Sequence, residues 1–353
     1  MLLSPINVII PLILLWQCSL VLSQGDSSMK SICLVLPYFG KFNPYFSLFL
    51  ESCRCNPTVN WLVYTDCTDE YDWPPNVRKV RTTFDAFKTR FCSHFDFDIV
   101  LDRPYKLCDY KPAYGEVLAD DLQGFDFWGH CDCDMIFGNI RRFLSDEILS
   151  QYAKIFSRGH LTLYRNDPET NSYYRRQTLL PISQVFGDTQ IYAFDEWSGI
   201  SKAWEHDGLP FYDELIMDDI AAGFEGFHLT KELTGRYSPY KAHQTDLSGR
   251  YKKMKHIMYS FHKGELLRLW TEKGTAYSEP VLYAHFQKRC MSVSVPDYSD
   301  SFLIANDSFI PFKGDLKASE IKQRTGSSFS IRNHYINTRR ALYDILLKIK
   351  SPS

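Results

Sequence analysis

The sequence predicts an α/β protein built on an open, mostly parallel β-sheet that is flanked by helices. Short, continuous apolar runs alternate with helical stretches over the first part of the chain, as expected for strands buried on both faces. Turn residues follow these runs, and no internal repeat interrupts the order. With 353 residues, of which 44% are hydrophobic, the chain is long enough for one large core or two modest ones.

The first half of the chain carries the clearest elements. Asn43 and Pro44 are predicted to open a helix, as cap and first helical residue, and Asn56-Pro57 ends it. The stretch 125–138 is predicted as a buried strand whose end carries two carboxylates. Further strands are predicted at residues 31–36, 61–64 and 76–83, and further helices at 84–95 and 105–120.

The second half is less regular, and residues 30–290 are predicted to form the main domain. Residues 154–165 are predicted as one strand, 166–178 as a loop or helix, and 212–219 as an acidic surface helix. Late strands are predicted at 256–262, 265–271 and 280–286. Residues 291–353 are predicted to be a C-terminal extension that ends in a basic amphipathic helix, residues 338–350.

Residues 1–23 are predicted to be a signal peptide or signal anchor. The segment from Val8 to Val21 is nearly all apolar and uncharged, and it is shorter than the about 20 residues of a membrane span. We therefore expect a secretory-pathway protein, lumenal in the Golgi or ER or secreted, with membrane attachment only through this segment. The acceptor sequence Asn306-Asp307-Ser308 fits a glycoprotein. Nine cysteines follow the leader, and their pairing stays open.

The net charge of −2 shows no excess of basic residues, so nucleic acid is not an expected partner. Three predicted strand ends instead carry polar or turn residues: Pro37, Tyr38 and Phe39; Thr65 and Asp66; Asp132 and Asp134. Ligands of open α/β sheets bind beyond the carboxyl ends of the strands. The strand ends therefore predict a nucleotide site.

Asp132 and Asp134 are the first candidates for chemistry. Neighbouring carboxylates repel each other unless a cation lies between them, and hard oxygen ligands suit Mn²⁺ or Mg²⁺ shared with a diphosphate. A solvated turn is the alternative. A zinc site is another possibility, because His130, Cys131 and Cys133 are ligand types that zinc prefers. It is disfavoured because structural zinc sites normally space their cysteines as C-x₂₋₄-C and need a second pair of ligands elsewhere.

Basic residues near the site are candidate phosphate ligands. In the predicted helix 105–120, Lys106 or Lys111 would meet a phosphate and Asp109 a base or ribose, unless these residues form a solvated helix face. On the late strand, Lys288 and Arg289 would clamp the diphosphate.

His285 is the candidate third metal ligand, because a neutral imidazole can complete a site that two carboxylates begin. A structural, half-buried histidine is the alternative. Asp195 and Glu196 end another apolar run and are candidates for a general base or an acceptor-hydroxyl ligand. Asp218 and Asp219 are rival acids that we expect at the surface.

Five motifs together resemble the GT-A type of nucleotide-sugar glycosyltransferase, which has a Rossmann-like fold and an Asp-x-Asp motif. The motifs are Leu36–Gly40, Tyr64–Asp66, Pro104–Gly115, Trp128–Asp134 and His285–Arg289. They are most similar to an uncharacterised family of predicted sugar transferases, over about residues 31–290. The resemblance implies that Asp132, Asp134 and His285 hold Mn²⁺ or Mg²⁺ and the donor diphosphate. It does not carry over the donor sugar or the stereochemistry.

The expected function is transfer of a sugar from a nucleotide-diphosphate sugar, with a UDP-sugar favoured, to a hydroxyl of a glycan or glycoconjugate. An inactive glycan-binding protein on the same kind of fold is the alternative from another class. A metal-dependent hydrolase is disfavoured because it would need two metals about 4 Å apart, and the sequence offers too few clustered ligands.

Overall fold

The computed structural model describes residues 29–221, 226–230, 251–287 and 289–326. The leader at residues 1–23, Lys288 and the predicted terminal helix at 338–350 lie outside these ranges. Within them, no helix is long and apolar enough to cross a membrane.

The first sheet contains four parallel strands and a hairpin, which confirms the α/β class. Its strands are β1 (Ile32–Pro37), β2 (Val59–Thr65), β3 (Val77–Arg81), β4 (Phe127–Cys131), β6 (Lys154–Arg158) and β7 (Leu161–Arg165). The order is β3-β2-β1-β4-β7-β6, in which β1 to β4 run parallel and β7 is antiparallel to both neighbours. The single strand predicted at 154–165 is therefore wrong: the chain turns at Gly159 and His160.

Helices cover both faces of the parallel strands. Along β1, Ile32, Leu34 and Leu36 pack with α1 (Phe46–Arg54), while Cys33 and Val35 pack with α2 (Phe84–Cys92) on the opposite face. The other helices are α3 (Leu107–Tyr110), α4 (Tyr114–Val117), α5 (Ile140–Phe143), α6 (Asp146–Gln151), α7 (Pro168–Arg176), α8 (Ile182–Phe186), α9 (Lys202–His206) and α10 (Ala318–Arg324). Residues 104–106 and 111–113 form 3₁₀ turns, and 197–201 form a π turn.

Two helix predictions need correction. The helix predicted at 105–120 is split into short α and 3₁₀ segments, because Pro112 cannot donate the hydrogen bond that a continuous helix needs. α1 begins at Phe46 rather than Pro44. The Asn43 side chain accepts a hydrogen bond from the Tyr45 N–H (3.1 Å) and donates to the Cys133 carbonyl (3.0 Å).

A second sheet follows in the chain and was only partly predicted. Its strands are β9 (Lys255–His262), β10 (Glu265–Glu272), β11 (Thr275–Pro280), β13 (Ser292–Val293), β14 (Ser301–Ala305) and β15 (Ser308–Pro311), in the order β11-β10-β9-β14-β15-β13. Tyr45 and Leu48, at the start of α1, pack against this sheet. Because β14 pairs with β9, the sheet crosses the boundary predicted at residue 290.

A small third sheet joins the two larger ones and positions the site. It consists of β5 (Met135–Phe137), β12 (Tyr283–His285) and β8 (Asp218–Asp219), in the order β5-β12-β8. The acidic surface helix predicted at 212–219 is therefore wrong. The acids that suggested a solvated helix are buried and paired: Asp218 contacts Arg268, and Asp219 contacts His285.

Candidate metal centre

The Asp132–Asp134 turn connects β4 to β5 at the carboxyl end of the parallel strands. The Asp132 N–H donates to the His160 carbonyl (3.2 Å), and the Asp134 carbonyl accepts from the Phe286 N–H (2.9 Å). Both side chains stay partly exposed, at 37% and 21%. The turn therefore has a fixed backbone and carboxylates that are open to a ligand.

His285 lies beside these carboxylates, which confirms the predicted contact; that it binds a metal ion stays a prediction. β12 pairs antiparallel with β5, which places His285 opposite Met135. The His285 Nε2 lies 3.2 Å from Asp134 Oδ1 and 3.9 Å from Asp132 Oδ2. One ligand atom from each of the three residues lies within 4.8 Å of the others. Two hard carboxylates and one imidazole fit Mn²⁺ or Mg²⁺.

The neighbouring cysteines take no part in this cluster. Cys131 and Cys133 are buried in the core between the first sheet and α1. Among the described residues, neither thiol belongs to a group that could hold a metal ion. Burial raises the pKa of both thiols; Asp132 adds to the shift of both, and Asp134 to that of Cys133, so the reactive thiolate is disfavoured.

His285 has a second set of contacts on its inner side. Its Nδ1 lies 2.8 Å from Asp219 Oδ1, and its ring stacks on His160 at a centroid distance of 4.4 Å. Burial alone would lower the pKa of His285, but Asp134 and Asp219 raise it well above its usual value. Burial would raise the pKa of Asp219, yet the hydrogen bond from His285 and the nearby His160 keep it well below its usual range.

Asp219, which we expected at the surface, is a buried partner of His285. It follows an apolar run, Leu215–Met217, just as Asp195 and Glu196 follow one. That pattern of an apolar run ending in acids was the signal that could have found it. His160, at a tight turn between two strands, gave no comparable signal.

Lys111 links the cluster to a second acidic pair. Its Nζ lies 3.0 Å from Asp132 Oδ1, 3.0 Å from Asp195 Oδ2 and 2.7 Å from the Gly159 carbonyl. Burial would lower the pKa of Lys111, but Asp132 and Asp195 raise it well above its usual value. The cationic lysine therefore joins the Asp-x-Asp turn to the acids at 195–196.

Asp195 and Glu196 lie next to each other over the β6–β7 turn. Burial raises the pKa of Asp195 to about 7; the contact with Lys111 opposes this shift, and neighbouring Glu196 adds to it. Burial also raises the pKa of Glu196. The pKa of Asp195 rises although Lys111 contacts it, because the effect of burial is larger and Glu196 adds to it. The pKa of Lys111 rises because two carboxylates, Asp132 and Asp195, contact it.

Gly159 leaves room for this acidic pair, and we predict a specific effect of filling that room. A Cβ at residue 159 would lie 2.6 Å from Glu196 Oε1 and 2.7 Å from Asp195 Oδ2, both too close. Gly159→Ala is therefore expected to displace the carboxylates and to lower stability by about 1–3 kcal/mol in denaturant unfolding. Gly314→Ala is the control, since a Cβ there meets nothing within 4 Å. Equal stability of the two variants would contradict the prediction.

The predicted strand-end residues converge beside the cluster. Pro37 pairs with Tyr64 at the ends of β1 and β2, and the Asp66 Oδ1 accepts from the Gly40 N–H (2.7 Å), where Gly40 has φ +106°. Burial raises the pKa of Tyr38 to about 12, and Cys133 and Asp134 contribute because they are close. The sheet edge and the Asp-x-Asp turn thus border one region.

Two of these strand-end residues have mainly structural contacts. Phe39 packs edge-on against Phe84 at 5.4 Å. Thr65 is fully buried, and its hydroxyl accepts from the Cys67 N–H (3.1 Å).

Three predicted phosphate or nucleoside ligands are not brought to the cluster. Lys106 and Asp109 are fully buried and ion-paired (2.9 Å), and they bind the backbone of the 185–194 segment instead of a solvated helix face. Arg289 is buried in an ion pair with Asp307 and donates to the Gly226 carbonyl (2.8 Å). These charged side chains have a structural role, because each forms its ion pair and hydrogen bonds inside the protein.

Together, the fold and the site define an α/β protein with a carboxylate–imidazole cluster at the carboxyl end of its parallel strands. The chain belongs to the family of unknown function DUF6625, whose pattern matches residues 34–313. This match includes both large sheets, except for the first two residues of β1, and all residues of the cluster. A search of curated proteins found no match.

Proposed function

We propose that the protein is a metal-dependent glycosyltransferase of the GT-A type that uses a nucleotide-diphosphate sugar, with a UDP-sugar as the favoured donor. The observation that carries this proposal is the convergence of Asp132, Asp134 and His285 from distant parts of the chain. The sheet order supports it. β1 lies between β2 and β4, so the order in which strands are added to the sheet reverses beside β1. Ligands of open α/β sheets bind in the crevice at such a point.

In this proposal Asp132, Asp134 and His285 hold Mn²⁺ or Mg²⁺. The bound ion would neutralise the charge that develops on the diphosphate leaving group. The strand-end residues Tyr38 and Asp66 lie at the edge that β1 and β2 form and would border the nucleotide. The cationic Lys111 would stabilise negative charge beside Asp132, from its position 3.0 Å away.

In its ionised form, the Asp195 carboxylate would accept the proton of the acceptor hydroxyl. A general base works best when its pKa is near the working pH, and the pKa of Asp195 is about 7. The acceptor would be a glycan or glycoconjugate in the secretory pathway, which rests on residues 1–23 acting as a leader. Asp195 is favoured over Glu196 because Lys111 holds its carboxylate in place.

A donor screen tests the reaction. The protein would be incubated with Mn²⁺ and several nucleotide sugars, and released nucleotide would be measured with and without chelator. We expect release of UDP from one UDP-sugar, and loss of that release when Mn²⁺ is removed. Calorimetry with UDP should likewise show binding only in the presence of the metal. Glycan binding without any nucleotide binding would instead support a glycan-binding protein.

A further inference from the structure

We propose that Asp219 is a positioning residue of the metal centre: its carboxylate fixes the ring of His285 so that Nε2 faces Asp132 and Asp134. This inference rests on the proposed function, because it assumes that the cluster binds a divalent metal. It assigns a role to a buried carboxylate that would not itself touch the metal.

The backbone places Asp219 and His285 side by side. β8 and β12 pair in parallel with Asp219 opposite His285, and the Ile220 N–H donates to the His285 carbonyl (2.9 Å). Asp219 Oδ1 lies 2.8 Å from His285 Nδ1, while Nε2 of the same ring lies 3.2 Å from Asp134. The two nitrogens of one imidazole therefore face two different carboxylates.

Gln287 holds Asp219 from the other side. Its Nε2 lies 2.8 Å and 2.7 Å from the two carboxylate oxygens of Asp219. Gln287 has φ +45°, a conformation that residues other than glycine rarely adopt. Such strained conformations persist where the surrounding structure determines them, and they cluster at functional sites. The left-handed turn after β12 thus brings the amide back onto Asp219.

His160 limits the movement of the His285 ring. The two rings lie nearly parallel, with an interplanar angle of 28° and a centroid distance of 4.4 Å. The Tyr283 hydroxyl lies 2.7 Å from His160 Nδ1 and fixes that ring in turn. Asp219 and His285 are each only 6% exposed, so the protein controls both the position and the environment of the imidazole.

This arrangement matches a carboxylate–histidine–metal triad, in which the carboxylate orients the histidine that binds the metal. A histidine that donates its Nδ1–H to a carboxylate keeps the Nε2 lone pair available and becomes a stronger ligand. Removing such a carboxylate typically weakens metal binding by about 10–100-fold. The geometry at Asp219 matches this role, since His285 reaches the Asp-x-Asp turn with the opposite nitrogen.

The buried trio His160, Asp219 and His285 also has ligand atoms within 4.8 Å of one another. A metal ion at this trio would make Asp219 a ligand rather than a positioning residue. The hydrogen bonds of Asp219 to His285 and Gln287 favour the positioning role, because they already engage both of its oxygens. An Asp134→Asn variant separates the two arrangements, because Asp134 belongs to the proposed centre and not to the buried trio.

Titration of the full chain with Mn²⁺, followed by electron paramagnetic resonance, tests the proposal without an activity assay. Spin-echo modulation from a coordinated nitrogen reports whether a histidine binds the ion. We expect the wild type to bind one ion with nitrogen modulation. Asp219→Asn should bind Mn²⁺ about 10–100-fold more weakly, with reduced modulation. Asp207→Asn is the control, since it makes the same change at a carboxylate that contacts His206 and the Tyr173 hydroxyl.

Wild-type affinity and modulation in Asp219→Asn would overturn the positioning role, as would a second ion in the wild type that this variant loses. If Asp219→Asn does not fold, Gln287→Met is the second test, since it removes the amide that holds Asp219. Weaker Mn²⁺ binding by this variant supports the positioning role, and unchanged Mn²⁺ binding overturns it. A wild type that binds no Mn²⁺, or an Asp134→Asn variant that binds it normally, would show that the metal centre is wrong. The proposed function would then fail together with this inference.

Discussion

Asp134→Asn is expected to lower kcat/KM for the nucleotide sugar by about 10³-fold, because it weakens binding of the metal that would stabilise the leaving group. Asp134 is the carboxylate closest to His285 Nε2, at 3.2 Å. The amide keeps the shape of the side chain but removes the negative charge that holds the metal. Released nucleotide, measured over a range of Mn²⁺ concentrations, is the assay.

Asp207→Asn is the matched control for this variant. Asp207 is also partly exposed (36% against 21% for Asp134), and it accepts a hydrogen bond from the Tyr173 hydroxyl (2.8 Å) instead of facing the cluster. Its activity should match the wild type. Near-normal turnover of a folded Asp134→Asn variant at low Mn²⁺ would contradict the assignment of the metal ligands.

Asp195→Asn is expected to lower kcat by about 10²–10⁴-fold, the range for loss of a general base. Binding of Mn²⁺ and UDP should change little, because Asp195 contacts Lys111 and is not one of the three proposed metal ligands. A reduced kcat with unchanged metal affinity would separate this role from that of Asp134. Glu196→Gln is the comparison, and we expect a smaller loss of kcat from it.

The pH profile gives Asp195 a second test. Its pKa is about 7, above the usual value of 3.8, so the carboxylate becomes ionised as the pH rises through about 7. A base must be ionised to accept a proton, so wild-type kcat should rise over this range and level off above it. The Asp195→Asn variant should lose this rise. A variant that retained the wild-type profile would show that another group is the base.

The parallel strands and the Asp132–Asp134 part of the candidate metal site could be predicted because their signals are local. Each buried strand is an apolar run, and the carboxyl ends of parallel strands meet at one edge of the sheet. The Asp132–Asp134 turn follows such a run directly. His285 was expected at the same place because it lies on a late strand and its imidazole suits two carboxylates.

The buried charges could not be predicted because a charged residue normally indicates the surface. Lys106, Asp109 and Arg289 are buried in ion pairs and backbone contacts that the sequence does not encode locally. Asp219 was missed for the same reason, although its apolar neighbours gave a signal. The second sheet depends on long-range pairing, such as that of β9 with β14, which a single sequence does not display.

The central claim is that Asp132, Asp134 and His285 bind one divalent metal. Anomalous diffraction at the manganese edge, from a crystal grown with Mn²⁺ and UDP, tests it most directly. We predict a single anomalous peak in contact with the two carboxylates and His285 Nε2, with Asp219 still bonded to Nδ1. A peak between His160, Asp219 and His285, or none near the Asp132–Asp134 turn, would contradict the claim.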